Sequence, residues 1–399
     1  MNRRQFLLSA AAAAAAAPLM SFSGQLFAAP ANTPRFLLVF LRGGYDCNNL
    51  LVPYASDFYY ESRPTLALAR PDASNPDATL ALDAQWGLNP VLRESLLPLW
   101  QRRQLAFVPF AGTDDLSRSH FETQDNIEAG EPTGARGSYR SGFLARLSGT
   151  LTGAAPIAFT SALPLSFQGG QDIPNISLKG VPRSKFDARQ SGILAQMYQG
   201  TPLASATADG LALSQQVSAD LRDEMVAASR GAASARNFSA ETQRIATLMR
   251  DKYRLGFVDV GGWDTHVNQG SVSGGLANNL KNLGEGLAAY ADALGDDWNH
   301  TVVMVISEFG RTFRENGGKG TDHGHGTAYW LLGGGINGGR IAGEQVAVNA
   351  SSLLQNRDYP VLNNYRDVLG GVLGRVWGLS SAQLQTVFPG AAPRDLRLV

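Results

Sequence analysis

The chain has five histidines, and four of them, His120, His266, His323 and His325, stand in short polar segments rich in glycine, serine or acidic residues. The fifth, His300, directly precedes an apolar run and reads as a surface residue. Scarce imidazoles gathered beside carboxylates suggest metal or acid–base chemistry. Arg42-Gly43-Gly44-Tyr45-Asp46 sets a carboxylate after two glycines, where it can meet a ligand or metal with little hindrance, or else cap the turn that follows. In Thr113–Glu122, Ser119 stands three positions before Glu122, so it either completes a capping box or serves as a nucleophile at a helix start. The two roles are compatible, because the positive end of a helix dipole favours a nucleophile.

Gly261–His266 places Asp264 and His266 two positions apart. In extended backbone such side chains point the same way, and they can offer an oxygen and a nitrogen to one ion or hydrogen-bond each other. In Ser307-Glu308-Phe309-Gly310-Arg311, Glu308 either ligates a metal or pairs with Arg311. Gly320–Gly326 carries Asp322, His323 and His325 among glycines, which leaves metal ligation or a metal-free surface loop. Mixed imidazole and carboxylate donors suit zinc, manganese or iron, whereas magnesium and calcium prefer oxygen alone. The expected cofactor is therefore a divalent metal, zinc foremost, with Mn, Fe, Mg and Ca as alternatives.

The elements that must position these residues are legible as apolar runs. Phe36–Leu41, Leu105–Phe110, Leu255–Val260 and Thr301–Ile306 are continuous and apolar, as in strands buried on both faces, and each is followed closely by glycine or an acidic residue. Between them, helical spacing runs through Val91–Trp100, Leu194–Tyr198, Ala240–Tyr253, Leu276–Leu294 and Tyr365–Trp377. The alternation predicts an α/β fold with a mostly parallel central sheet flanked by helices, in which ligands bind beyond the carboxyl ends of the strands. The glycine-rich stretch 333–339 follows the apolar run Tyr329–Leu332 and reads as a hairpin turn rather than a phosphate cradle. Residues 148–185, rich in Pro, Gly and Ser, are expected as an irregular insertion within one large domain over 32–399.

Composition narrows the function. The 34 Lys and Arg are balanced by 34 Asp and Glu, which excludes the basic surplus of a nucleic-acid binder. A hydrophobic share of 44% excludes a disordered chain, and the lone Cys47 can form no intramolecular disulfide. Paired Arg3 and Arg4, Phe6-Leu7, the alanine run Ala10–Ala17 and a small-residue exit at Ala28 or Ala31 are similar to a twin-arginine signal peptide over residues 1–31. The apolar run is shorter than the ~20 residues of a spanning helix, so no transmembrane span is expected in the mature chain and the expected location is the periplasm.

The ordered segments Arg42–Asp46, Ser117–Phe121, Gly262–His266, Ser307–Thr312 and Gly320–Gly326 together resemble a bacterial exported family, the domain of unknown function numbered fifteen hundred and one. That family is related to the alkaline phosphatase and sulfatase superfamily. The resemblance implies Asp46 as the first metal ligand, Ser119 or Ser117 as nucleophile, Asp264 and His266 as a middle pair, Glu308 in place of an aspartate, and His323 or His325 as the last ligand. It also implies that a superfamily histidine is missing, since Phe309 follows Glu308, so one metal remains or Asp322 and a second histidine rebuild another site. On this footing the expected activity is periplasmic, metal-dependent hydrolysis of a phosphate or sulfate ester of a small molecule or glycan. Arg118 or Arg311 would neutralise the transferring group, and His120 would act as general acid. The alternative is a catalytically silent relative that binds a glycan or assembles with a second exported protein.

Overall fold

The computed structural model describes residues 33–135, 140–170, 172–177, 196–201, 203–204 and 238–399. Residues 1–31, expected as a signal peptide, residues 171 and 178–185 of the expected insertion and the start of the helix expected at Leu194–Tyr198 lie outside the described residues. Eleven strands are described: β1 Arg35–Leu41, β2 Leu51–Val52, β3 Leu80–Ala81, β4 Gly87–Leu88, β5 Leu105–Gly112, β6 Pro156–Phe159, β7 Leu255–Val260, β8 Thr301–Ser307, β9 Thr327–Leu332, β10 Arg340–Ile341 and β11 Asn363–Asn364. The helices are α1 Asp57–Ser62, α2 Leu96–Gln101, α3 His120–Ala129, α4 Phe143–Thr150, α5 Phe238–Asp251, α6 Gly275–Leu294, α7 Tyr365–Trp377 and α8 Ser381–Val387.

The main sheet runs β10-β5-β9-β8-β1-β7-β6, with β11 paired to β5 as its eighth strand. Its pairs are parallel except those made by β9, which is antiparallel to both β5 and β8. This is the mostly parallel α/β arrangement that the apolar runs predict. β1 lies at the centre, with Val39 in register with Val258 on one side and Val305 on the other. Because successive strand residues point to opposite faces, Leu37, Val39 and Leu41 enter one core and Phe36, Leu38 and Phe40 the other. Helices α5 and α6 cover the first face through Ile245, Leu280, Leu283 and Leu287, while α3, α4 and α7 cover the second through Ile127, Leu144, Leu147 and Leu369. Both faces being covered explains why the strands lack a polar alternation.

Three local expectations change. The helix expected over Val91–Trp100 is divided into a 3-10 turn at Pro90–Leu92 and α2, with Pro98 in the first turn of α2, where its missing N–H is least costly. The glycine-rich 333–339 is not a hairpin turn, because β5 lies between β9 and β10. That loop instead crosses the start of β5, where the Gly338 and Gly339 amides donate to the carbonyls of Arg103 and Leu105 at 3.0 and 2.7 Å. A Cβ on Gly338 would come within 2.6 Å of both those oxygens. Inside the stretch expected as irregular, Pro156–Phe159 forms β6 and joins the sheet parallel to β7.

Candidate metal centre

Four polar segments meet at one edge of the sheet because they leave the carboxyl ends of β1, β5, β7 and β8. The fifth, Gly320–Gly326, arrives at the same edge because β9 runs the opposite way. It is tied to the segment after β8 by Gly310 N to His325 O at 2.9 Å, Gly324 N to Gly310 O at 2.8 Å and Thr312 N to Asp322 O at 2.9 Å. Chain reversal at Gly43 needs φ +123°, and a Cβ there would stand 2.8 Å from the Asp264 amide nitrogen, so glycine permits the close approach of the β1 and β7 loops.

At the centre of this edge, donor atoms of His120, Asp264 and His323 all lie within 4.8 Å of one another. Asp264 Oδ2 is 3.6 Å from His120 Nε2, and Asp264 Oδ1 is 3.4 Å from His323 Nε2. His266 adjoins them, with Nε2 at 2.9 Å from Asp264 Oδ1 and 3.1 Å from His323 Nε2. These separations sit near the ~3.3 Å ligand-to-ligand edge expected for a tetrahedron with metal bonds of about 2.0–2.1 Å.

The opposite nitrogen of each ring is held by an acceptor. His120 Nδ1 meets Glu308 Oε1 at 2.8 Å, His323 Nδ1 the Arg118 carbonyl at 3.0 Å, and His266 Nδ1 Asp322 Oδ1 at 3.3 Å. A carbonyl oxygen can only accept, so neutral His323 carries its proton on Nδ1 and turns the Nε2 lone pair to Asp264; ionised carboxylates impose the same tautomer on the other two. This is the outer-shell arrangement that orients metal-binding imidazoles. Among the described residues His120 Nε2 is buried with no hydrogen-bond partner, and a cation between it and the Asp264 carboxylate would satisfy both groups. The donor set therefore fits a divalent metal, with mixed nitrogen and oxygen ligation suited to zinc, manganese or iron.

Electrostatics agree with this picture. Burial pushes the Asp264 carboxyl up, but the Arg311 hydrogen bond and charge, with His266 and His120, outweigh it and leave the group below its ordinary range. Glu308 is likewise raised by burial yet held below its ordinary value by His120, Gln124 and backbone hydrogen bonds. Burial, then the neighbouring His120, lowers His323, which keeps its lone pair available. The Asp322 carboxyl is lowered first by its hydrogen bond from Asn316.

The remaining candidates take other positions. Glu308 has no exposure; it accepts from Gly43 N at 2.7 Å, Gln124 Nε2 at 2.9 Å and Ser307 Oγ at 3.0 Å, and so orients His120 rather than facing the centre as a ligand. His120, expected as general acid, has its ring 4.8 Å from that of Phe309, which also packs against His323 at 5.1 Å. Asp46 has both oxygens taken by Arg63, Gln269 and Asn48. His325 lies outside the mutually close donors among the described residues, and burial followed by the Arg118 charge lowers its pKa to about 4.

Arg311 is buried and spends its guanidinium on the carbonyls of Gly43, Gly44, Trp263 and Thr321, on Asp264 and, at 3.4 Å, on His266 Nε2. Arg118 is paired with Asp358 at 2.6 Å and with Gln355, and its backbone takes φ +53°, a conformation bulky residues rarely adopt. Ser119 is the N-cap residue of α3, but its hydroxyl makes no capping bond, so the expected capping box does not form. Ser117 is exposed, and its Oγ accepts from Ser119 N at 3.3 Å. Sequence reasoning passed over Gln124, although it stands four positions after His120 on α3, the helical spacing that puts both on one face. It also passed over Arg63, Gln269 and Asp358, which no motif marks.

A family model described as "Protein of unknown function (DUF1501)" matches residues 33–388. No curated protein matches the chain. Among solved structures, the chain is similar to a protein in the alkaline phosphatase superfamily from Vibrio parahaemolyticus, at 11% identity over 86% of this chain and 67% of that one, with a TM-score of 0.39. It is also similar to Ps i-CgsB in complex with k-i-k-neocarrahexaose, at 9% identity over 92% of this chain and 75% of that one, with a TM-score of 0.40.

Proposed function

We propose that this chain, which belongs to the DUF1501 family of proteins of unknown function, is a metal-dependent hydrolase of phosphate or sulfate esters that works in the periplasm after twin-arginine export. The observation that carries the reading is the convergence of imidazole Nε2 atoms on Asp264, with His120 Nε2 buried and without a hydrogen-bond partner among the described residues. His120, His323 and Asp264 would hold the ion, with His266 beside them, and Glu308, the Arg118 carbonyl and Asp322 would fix the ring orientations. A divalent ion bound there supplies Lewis acidity toward the ester oxygens. The Asp264 side chain is 45% exposed, so a substrate has access to this edge. Ser119, directly before His120 with its hydroxyl free of capping, would bond to phosphorus or sulfur. As that bond forms, the bond to the leaving oxygen breaks, that oxygen takes the serine proton, and water afterwards releases the serine. The amide N–H groups at the start of α3 favour an anionic group in that position.

The test is hydrolysis of chromogenic phosphate and sulfate esters by the exported protein, with metal content measured on the same sample. Activity should disappear on chelation and return with zinc, and Asp264→Ala or His323→Ala should lower kcat/KM by more than about 100-fold, the upper end of what losing an outer-shell partner costs. A metal-free protein without turnover on either ester class would sink the reading. One observation favours a second reading, a silent binding or assembly protein: Arg118 and Arg311 are both engaged in internal contacts and are not free to neutralise a transferring group. Under that reading the protein holds metal stoichiometrically, turns over neither ester and still binds a glycan or a partner protein.

A further inference from the structure

Asp46 and Arg63 are wholly buried, with no side-chain exposure on either, and neither belongs to the donor group around Asp264. The Asp46 carboxylate is saturated: Oδ1 accepts from Arg63 Nη2 at 3.0 Å and Asn48 N at 3.2 Å, and Oδ2 from Arg63 Nη1 at 2.5 Å and Gln269 Nε2 at 2.7 Å. Arg63 is saturated as well. Besides the two bonds to Asp46 it donates to Asn49 Oδ1 at 3.2 Å, to Phe313 O at 2.6 Å and to Thr312 O at 3.0 Å, which accounts for every N–H of a guanidinium. Gln269 carries the pair to the metal centre, because its Oε1 accepts from Thr265 Oγ1 and Thr321 Oγ1, each at 2.8 Å. Thr265 lies between Asp264 and His266, and Thr321 directly precedes Asp322 and His323.

We infer that Arg63 occupies the charge-balancing place at Asp46 that a second cation would otherwise take, so that the sheet edge binds one divalent ion and Asp46, Arg63 and Gln269 brace the loops presenting the ligands. The inference rests on the metal-centre reading above and specifies its stoichiometry. Arginine stays charged at any working pH, so Asp46 is neutralised permanently. A divalent ion bound to Asp46 would have to displace hydrogen bonds from a saturated carboxylate and sit against that guanidinium. The brace gives the carboxylate at the first strand end a use: its charge orders the segments after β7 and before β9.

Native mass spectrometry of the exported, zinc-saturated protein, after removal of loosely held metal, counts the ions directly. One ion per chain is expected, and Asp46→Asn, confirmed folded by circular dichroism, should keep that count at saturating zinc with a lowered unfolding midpoint. Two ions per chain in the wild-type protein overturn the inference and leave the metal centre standing. A folded Asp46→Asn that holds no ion at the zinc concentration saturating the wild-type protein overturns it too, because Asp46 would then act as a ligand. Absence of any ion in the wild-type protein overturns the metal-centre reading itself, and this inference with it. If Asp46→Asn does not fold, the wild-type count alone decides.

Discussion

At the scale of single residues, the centre depends on one exchange of roles. Glu308 is a buried acid at a strand end, where ligation and ion pairing are both open to it, and His120 begins a helix beside a candidate nucleophile. The structure puts the imidazole among the donors and the carboxylate behind it at 2.8 Å. A carboxylate in that position fixes the tautomer and raises the basicity of the imidazole. Glu308→Gln should therefore weaken metal binding by about 10–100-fold while leaving the ion count per chain unchanged, as read by zinc titration. An unaffected affinity would mean that His120 needs no partner to stay oriented. Arg118 acts in a similar way through its backbone, whose left-handed turn aims a carbonyl at His323, while its guanidinium is held by Asp358. It is a positioning residue for the ring.

At the scale of elements, the turn after β1 carries several of these relations at once. Gly43 donates its amide to Glu308 at 2.7 Å and offers its carbonyl to Arg311 at 2.7 Å, in a conformation that favours glycine. Gly43→Ala forces an L side chain into that backbone and toward the Asp264 amide. Strain of this kind costs about 1–3 kcal/mol. Urea unfolding of the metal-free protein should show a loss of that order, together with weaker zinc binding because Glu308 and Asp264 both shift. A variant with wild-type stability and affinity would show that the turn can relax without moving the ligands. The reversed strand β9 is the second decisive element, since a parallel strand would deliver the Gly320–Gly326 segment to the opposite edge.

At the scale of the molecule, the ligands and their supports come from segments after β1, β5, β7 and β8 and before β9, so they assemble only when the whole sheet has formed. Metal should therefore stabilise the native state and bind the unfolded chain weakly. At free zinc a thousandfold above its dissociation constant, the gain is about 4 kcal/mol, so chelation should lower the unfolding midpoint and the shift should grow with metal concentration. A midpoint indifferent to zinc would mean that the centre does not hold it. The sequence by itself determined four strands of the main sheet, β1, β5, β7 and β8, and the polar segments at their ends, because a continuous apolar run needs only its own residues to declare burial on both faces. It also marked Asp264, His266 and His323, with Asp46, Glu308, Asp322 and His325, as candidate donors, without separating ligation from hydrogen bonding or a metal-free loop. The tertiary structure alone decided that His120 joins them, that Glu308 stands behind it, and that Asp46 is closed by Arg63. Those roles turn on pairings such as His120 with Glu308, 188 positions apart. Which donor reaches a buried carboxylate is set by how the sheet and loops pack, and no local spacing encodes that.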